Sequence, residues 1–127
     1  MEFGTKTKLI MPEILLFIKD FELGSRISSA CVDNGKEVEF SDENTDSKNF
    51  STNLKLAFVD MDEKVFLSVG LVSALKRHGI KVIGIMKKIS NHENKKLKSA
   101  GCDIIIPKSS LMKNIPSLLS EYINVKD

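Results

Sequence analysis

The stretch Leu54-Lys55-Leu56-Ala57-Phe58-Val59-Asp60 decides the architecture. Its apolar run reads as a strand covered on both faces, the environment of a central strand in a parallel sheet. Asp60 closes the run. A carboxylate at the carboxyl end of such a strand faces the crevice in which open α/β sheets bind ligands.

On either side of this strand the chain alternates between strand and helix signals. Ile14 to Ile18 is a continuous apolar run and reads as a buried parallel strand. Leu23, Ile27, Ala30 and Cys31 recur at helical spacing, with Gly35 as the C-terminal cap. Glu37 to Phe40 is a short second strand. Ser41 to Asn53 is polar and acidic, with Phe50 its only large apolar residue, and has room for one short helix at most. Val65, Val69, Leu71, Val72 and Leu75 form a helical stripe ending at His78-Gly79. Asp62 and Glu63 would be that helix's acidic first turn, which the helix dipole favours. Lys81 to Ile85 is a fourth strand. Asn91 caps a short helix that carries Glu93, Lys95, Lys96 and Lys98 and ends at Gly101. Asp103 to Ile106 is a fifth strand. Ile115, Leu118, Leu119, Tyr122 and Ile123 form a last amphipathic helix, and Pro116, which suits only a first turn, puts its start near Asn114.

Five strands alternating with five helices require right-handed crossovers and a parallel sheet covered on both faces. The expected fold is a flavodoxin-like doubly wound three-layer α/β sandwich with strand order 2-1-3-4-5.

The length of 127 residues suits one domain. Apolar residues at 42% and charged residues at 28% describe a globular chain. A net charge of +2 is too small to argue for nucleic-acid or membrane binding. No apolar run has membrane-spanning length and no signal-peptide pattern is visible, so the cytoplasm is the expected location. Cys31 and Cys102 read as free core thiols. No Cys/His cluster has zinc-ligand spacing. His78 and His92 stand alone near loops. Residues 1–10 lack any pattern and are set aside as a disordered or added tail, leaving 11–127 as the domain.

From about Glu13 to Ile123 the arrangement resembles a response-regulator receiver (CheY-like) domain of two-component signal transduction. Leu56-Ala57-Phe58-Val59-Asp60 resembles that family's third strand and phosphoacceptor aspartate. Ala100-Gly101-Cys102-Asp103-Ile104-Ile105-Ile106-Pro107-Lys108 resembles its Ala-Gly-Ala-Asp…Lys segment and puts Lys108 at the family's invariant lysine. The interval from Val82-Ile83-Gly84-Ile85-Met86 to Gly101 fits without a gap.

The departures are equally specific. Receivers carry an acidic pair after the first strand that binds Mg²⁺ with the phosphoacceptor; Ile18 and Lys19 occupy those places here, and Asp20 matches the next, less essential one. Met86 replaces a Thr or Ser after the fourth strand, and Ile105 replaces an aromatic switch residue. The usual proline is missing from Asp60-Met61-Asp62-Glu63-Lys64. Mg²⁺ wants oxygen ligands, and Lys19 would repel it and pair with Asp60 instead. Met86 cannot hydrogen-bond a phosphoryl oxygen, and Ile105 has no hydroxyl to swing.

The resemblance therefore implies a pseudo-receiver: a non-enzymatic signalling domain without a cofactor, acting through a protein partner such as a kinase or output protein. Receivers commonly use the face of the fourth helix, fifth strand and fifth helix; here it would present Lys95, Lys98, Lys108 and Tyr122. A homodimer is a further option, whereas membrane and nucleic-acid partners are not expected. Two alternatives stand beside this reading. One is a phosphorylatable receiver with Asp60 as phosphoacceptor and Asp20 or Asp62 restoring the Mg²⁺ site. The other is a small-ligand-binding flavodoxin-like domain, although Lys19-Asp20-Phe21-Glu22-Leu23-Gly24 is no Gly-rich phosphate loop. Each residue also has a structural reading: Asp60 as a cap or a partner of Lys108, Lys108 as a surface lysine, Met86 as core filler.

Overall fold

The computed structural model describes residues 11–67 and 69–123. The tail assigned to residues 1–10 and the side chain of Val69 lie outside the described residues. The elements are β1 (Ile14–Phe17), α1 (Phe21–Asp33), β2 (Val38–Phe40), β3 (Leu56–Asp60), α2 (Val69–Arg77), β4 (Lys81–Met86), α3 (Asn91–Ala100), β5 (Ile104–Pro107) and α4 (Lys108–Tyr122). All strand pairs are parallel, in the order β2-β1-β3-β4-β5. Strand order and fold class agree with the sequence expectation, and β3 is the central strand.

The alternation of side chains along the strands builds two cores. Ile14, Leu16, Phe58, Ile83 and Ile85 face α1 and α4, meeting Ile27, Cys31, Leu111, Ile115 and Leu119. Leu15, Phe17, Ala57, Val59 and Val82 face the other way, against Val72, Leu75 and Leu97 of α2 and α3. This two-sided burial is why β3 carries no polar residue before Asp60.

Four details correct the sequence expectations. The β2–β3 connection forms only a 3₁₀ turn at Ser47–Asn49, so the described residues contain four α-helices rather than five. Its short polar side chains hydrogen-bond their own backbone: Asp42 accepts from the Asn44 amide, Asp46 from Lys48 and Ser51 from Asn53. Such local bonds compete with helix formation. Second, residues 61–66 form turns, so Val65 is exposed and Phe66 fills the core instead, edge-on to Phe17. Third, Ser90 rather than Asn91 caps α3, its Oγ accepting from the Glu93 amide.

Fourth, α4 begins at Lys108 rather than near Asn114 and carries Pro116 in its interior. An interior proline costs about 3 kcal/mol. Burial of Leu111, Ile115, Leu118 and Leu119, each contributing roughly 1.5–3 kcal/mol, outweighs it. The ring lies on the exposed side.

The segment Ala100-Gly101-Cys102-Asp103 ties α2, α3 and β4 together. Gly101 ends α3 at φ 115°, a conformation that side chains resist. A β-carbon there would lie 2.8 Å from Cγ of Lys76. Lys76 cannot easily yield, because its Nζ sits 2.8 Å from Asp103. The same Asp103 oxygen accepts the Val82 amide at 2.7 Å. Gly101→Ala should therefore destabilise the protein by about 1–3 kcal/mol, read as a lower urea midpoint at unchanged m-value.

Burial pushes the Cys31 thiol up to about 12. Its raised folded value makes its contribution complete below the ordinary thiol pKa. That contribution is lost as pH climbs from about 9 towards 12, where only the unfolded chain ionises. Stability of Cys31→Ala measured across that interval should decline less steeply than that of the parent chain.

Candidate functional site

Asp60 ends β3 and is only 2% exposed. After it the chain turns. The Met61 amide continues the ladder to the Ile85 carbonyl, and the Asp62 amide donates to Asp60 Oδ1 at 3.0 Å. This carboxylate-closed turn brings a second aspartate to the same place. Lys108, the first residue of α4, reaches both: its Nζ lies 3.0 Å from Asp60 Oδ1 and 3.0 Å from Asp62 Oδ2. The Lys87 amide, just past β4, donates to Asp62 Oδ2 at 2.8 Å. Asp62 is therefore not in the acidic first turn of α2. It belongs to the site, held from the ends of β4 and β5.

Burial works against the Lys108 ammonium, but its hydrogen bonds to Asp62 and Asp60 prevail and hold its pKa above the ordinary lysine value. A polar cleft of about 290 Å³ opens beside it, lined also by Asp20, Glu22, Leu23, Arg26 and Lys87. This is the crevice expected at the carboxyl ends of the strands.

Lys19 does not join the site. Its Nζ lies 3.0 Å from Glu43, on a side chain 42% exposed, and 6.0 Å from the centre of the Phe66 ring. The expected pairing with Asp60 is corrected. β1 ends at Phe17, Ile18 turns into the core beside α1, and Lys19 then points outward towards the β2–β3 loop. Asp20 caps α1, accepting the Leu23 amide at 3.1 Å. Met86 and Ile105 are buried in the core beneath α2 and α3. On the expected partner face, Lys95 and Lys98 are exposed on α3, and Tyr122 is half-buried against the α1–α4 core. Lys108 is drawn into the carboxylate site instead.

The arrangement is similar to solved response regulators. One from Hahella chejuensis matches with a TM-score of 0.74 and 14% identity, covering 92% of this chain and 98% of that one. The H. pylori orphan response regulator HP1043 matches at 0.67 and 17%, covering 87% and 96%. A CheY-like receiver domain protein from Methanospirillum hungatei JF-1 matches at 0.61 and 22%, covering 87% and 95%. The fold is that of a receiver domain. No family model matches the sequence, and none of the curated proteins does.

On this receiver fold, Asp60 takes the central-strand position and Lys108 faces it. The residues do not fit the Mg²⁺ that the resemblance brings to mind. Mg²⁺ demands near-octahedral oxygen coordination. Asp60 and Asp62 share one ammonium, and Asp20 is engaged as a helix cap. Among the described residues no three His, Cys, Asp or Glu side chains are placed to hold a metal. What the trio provides is a fixed cation between two carboxylates.

Sequence reasoning missed two parts of this architecture. The Lys87 main-chain amide carries no side-chain signal. The Asp103 bonds to Lys76 and Val82 were foreshadowed only by the aspartate in the quoted glycine segment.

Lys108→Met should destabilise the fold by about 2–3 kcal/mol, since it leaves a buried carboxylate uncompensated. Adding Asp60→Asn should recover part of that loss in chemical denaturation. Lys19→Ala, which removes only a surface pair, should leave the melting temperature unchanged within error.

Proposed function

We propose that this chain is a receiver-like signalling domain that binds a protein partner without enzymatic turnover. In this reading Asp60 is held in a standing ion pair and takes no part in a phosphorylation cycle. One observation carries it: the Lys108 ammonium lies 3.0 Å from both Asp60 and Asp62. Phosphoryl transfer to a carboxylate is mainly a matter of positioning and charge neutralisation by metal and cationic groups. Here the only cation within salt-bridge reach of Asp60, among the described residues, is Lys108, and it is shared with Asp62. Met86 and Ile18, at positions where receivers have a hydroxyl and an acid, contribute hydrocarbon to the cores instead.

A kinase or output protein is the proposed partner class. The exposed face of α3 with Lys95 and Lys98, flanked by Tyr122 on α4, is the surface assigned to it by analogy with receivers. The phosphorylatable reading keeps one observation in its favour. Asp60 stands at the carboxyl end of the central strand, one lysine away from a polar cleft. No helix among the described residues is long and apolar enough to cross a membrane.

The test is phosphorylation by acetyl phosphate with Mg²⁺, followed by intact mass, alongside beryllofluoride titration by NMR. The expected result is no mass gain and no amide shifts around Asp60. A phosphoryl adduct that disappears in Asp60→Asn would establish the phosphorylatable reading instead.

A further inference from the structure

The helical layer of α2 and α3 has a gap beside α2. A regular alternation of strands and helices would put a helix between β2 and β3. Here that connection forms only the 3₁₀ turn at Ser47–Asn49, and Phe50 is its one large apolar side chain on the core beneath α2 and α3. A helix with its side chains is about 10 Å across, and this loop does not fill that width. The space left is a cavity of about 360 Å³ between the connection and α2. The buried rings of Phe17 and Phe66 form its floor. Phe50, Ala74 and the 48%-exposed Val65 form apolar walls.

The charged part of the lining has one sign. Asp42, Glu43 and Asp46 line the cavity themselves, and among the described residues no lysine, arginine or histidine does. Asp42 and Asp46 accept only local main-chain amides, from Asn44 and Lys48, and the Thr45 hydroxyl. Neither has a cation within salt-bridge reach among the described residues. Glu43 has one. Lys19, from outside the lining, places its Nζ 3.0 Å from Glu43 and 6.0 Å from the centre of the Phe66 ring, the outer reach of a cation–π contact. Its hydrogen bond to Glu43, with the nearby charges of Glu43, Asp42 and Glu63, holds the Lys19 pKa above the ordinary lysine value. The chain's own ammonium thus stands on a carboxylate and an aromatic ring that both belong to the cavity. It answers one of three acids.

Size narrows the ligand. One helical turn, 5.4 Å of a cylinder about 10 Å across, takes roughly 400 Å³, so the cavity cannot seat a partner helix. It lies at the small end of the range of about 300–1,000 Å³ typical of small-molecule sites, which pair apolar walls with a few polar groups. We infer that this cavity binds a small organic amine, its protonated nitrogen facing Asp42 and Asp46 and its apolar body against Phe50, Val65 and Ala74. The inference goes beyond the binding of a protein partner and is independent of the chemistry of Asp60.

The probe is phenethylamine, titrated into the full chain and followed by amide NMR. Phenethyl alcohol and hydrocinnamate carry the same body on a neutral and an anionic head. The amine should shift Thr45, Ser47, Phe50 and Ala74 saturably and bind about tenfold or more tighter than either companion. Asp42→Asn combined with Asp46→Asn keeps both amide acceptors but removes two charges, and should weaken binding by about tenfold or more. Asp33→Asn with Glu121→Gln, the same charge change on the opposite helical layer, should not. Ala74→Leu, which fills the cavity, should abolish binding. Lys19→Ala, which releases Glu43 and the Phe66 ring, should tighten it. Spectral dispersion checks that each variant is folded. No saturable shift at these residues, equal affinity for the three heads, unchanged affinity in both the paired aspartate and the Ala74 variants, or no gain in Lys19→Ala would overturn the inference. So would tighter binding of a Leu/Lys helical peptide at the same residues, because the cavity would then belong to a protein partner.

Discussion

A carboxylate that is 2% exposed at the end of a central strand must be compensated, and the neighbourhood of Asp60 is organised around that requirement. One ammonium meets it. Because Lys108 opens α4, the pair fixes where that helix starts and how it leaves β5. A lysine in a first helical turn opposes the helix dipole, so its place there makes sense only with Asp60 and Asp62 beside it. Asp62 in turn takes the Lys87 amide. The carboxyl ends of β3, β4 and β5 are thus stitched at one point by charge-assisted bonds, which are stronger than neutral ones.

The sheet was legible because its evidence is local and repeated. Each strand is a short apolar run, and Leu56 to Val59, buried on both faces, could hardly be anything else. Asp60 and Lys108 were legible as a facing pair through the segments around them. The failures lie where tertiary context overrides local signals. Nothing in Pro116 announces that Leu111, the fourth residue of α4, and the buried Ile115, Leu118 and Leu119 will carry the helix past it. Lys19 illustrates a different limit. Two adjacent residues at a strand end point in opposite directions, so one position of register decides between the crevice and solvent. Glu43, its actual partner, lies on a loop whose path no periodicity encodes. The helical stripe that included Val65 failed for a related reason: the turn closed by Asp60 and Asp62 consumes the residues that would have formed its first turn.

The trio also changes what substitutions at this site can mean. In a crevice with a dissociable metal, charge can be added or removed without altering the chain. Here the positive charge is covalently part of α4, and its pKa is raised by the carboxylates it serves. Occupancy is therefore constant across the ordinary pH range.

The strand order has an electrical consequence. Residues 19–48, which include the edge strand β2, carry eight acids and four bases, while residues 76–98, from the end of α2 through β4 to α3, carry eight bases and one acid. A chain that is nearly neutral as a whole thus carries its acids and its bases on different elements. An approaching charged body feels a torque before it feels a contact, and so arrives already turned. Within about a Debye length, ~8 Å at physiological ionic strength, this molecule has a front and a back.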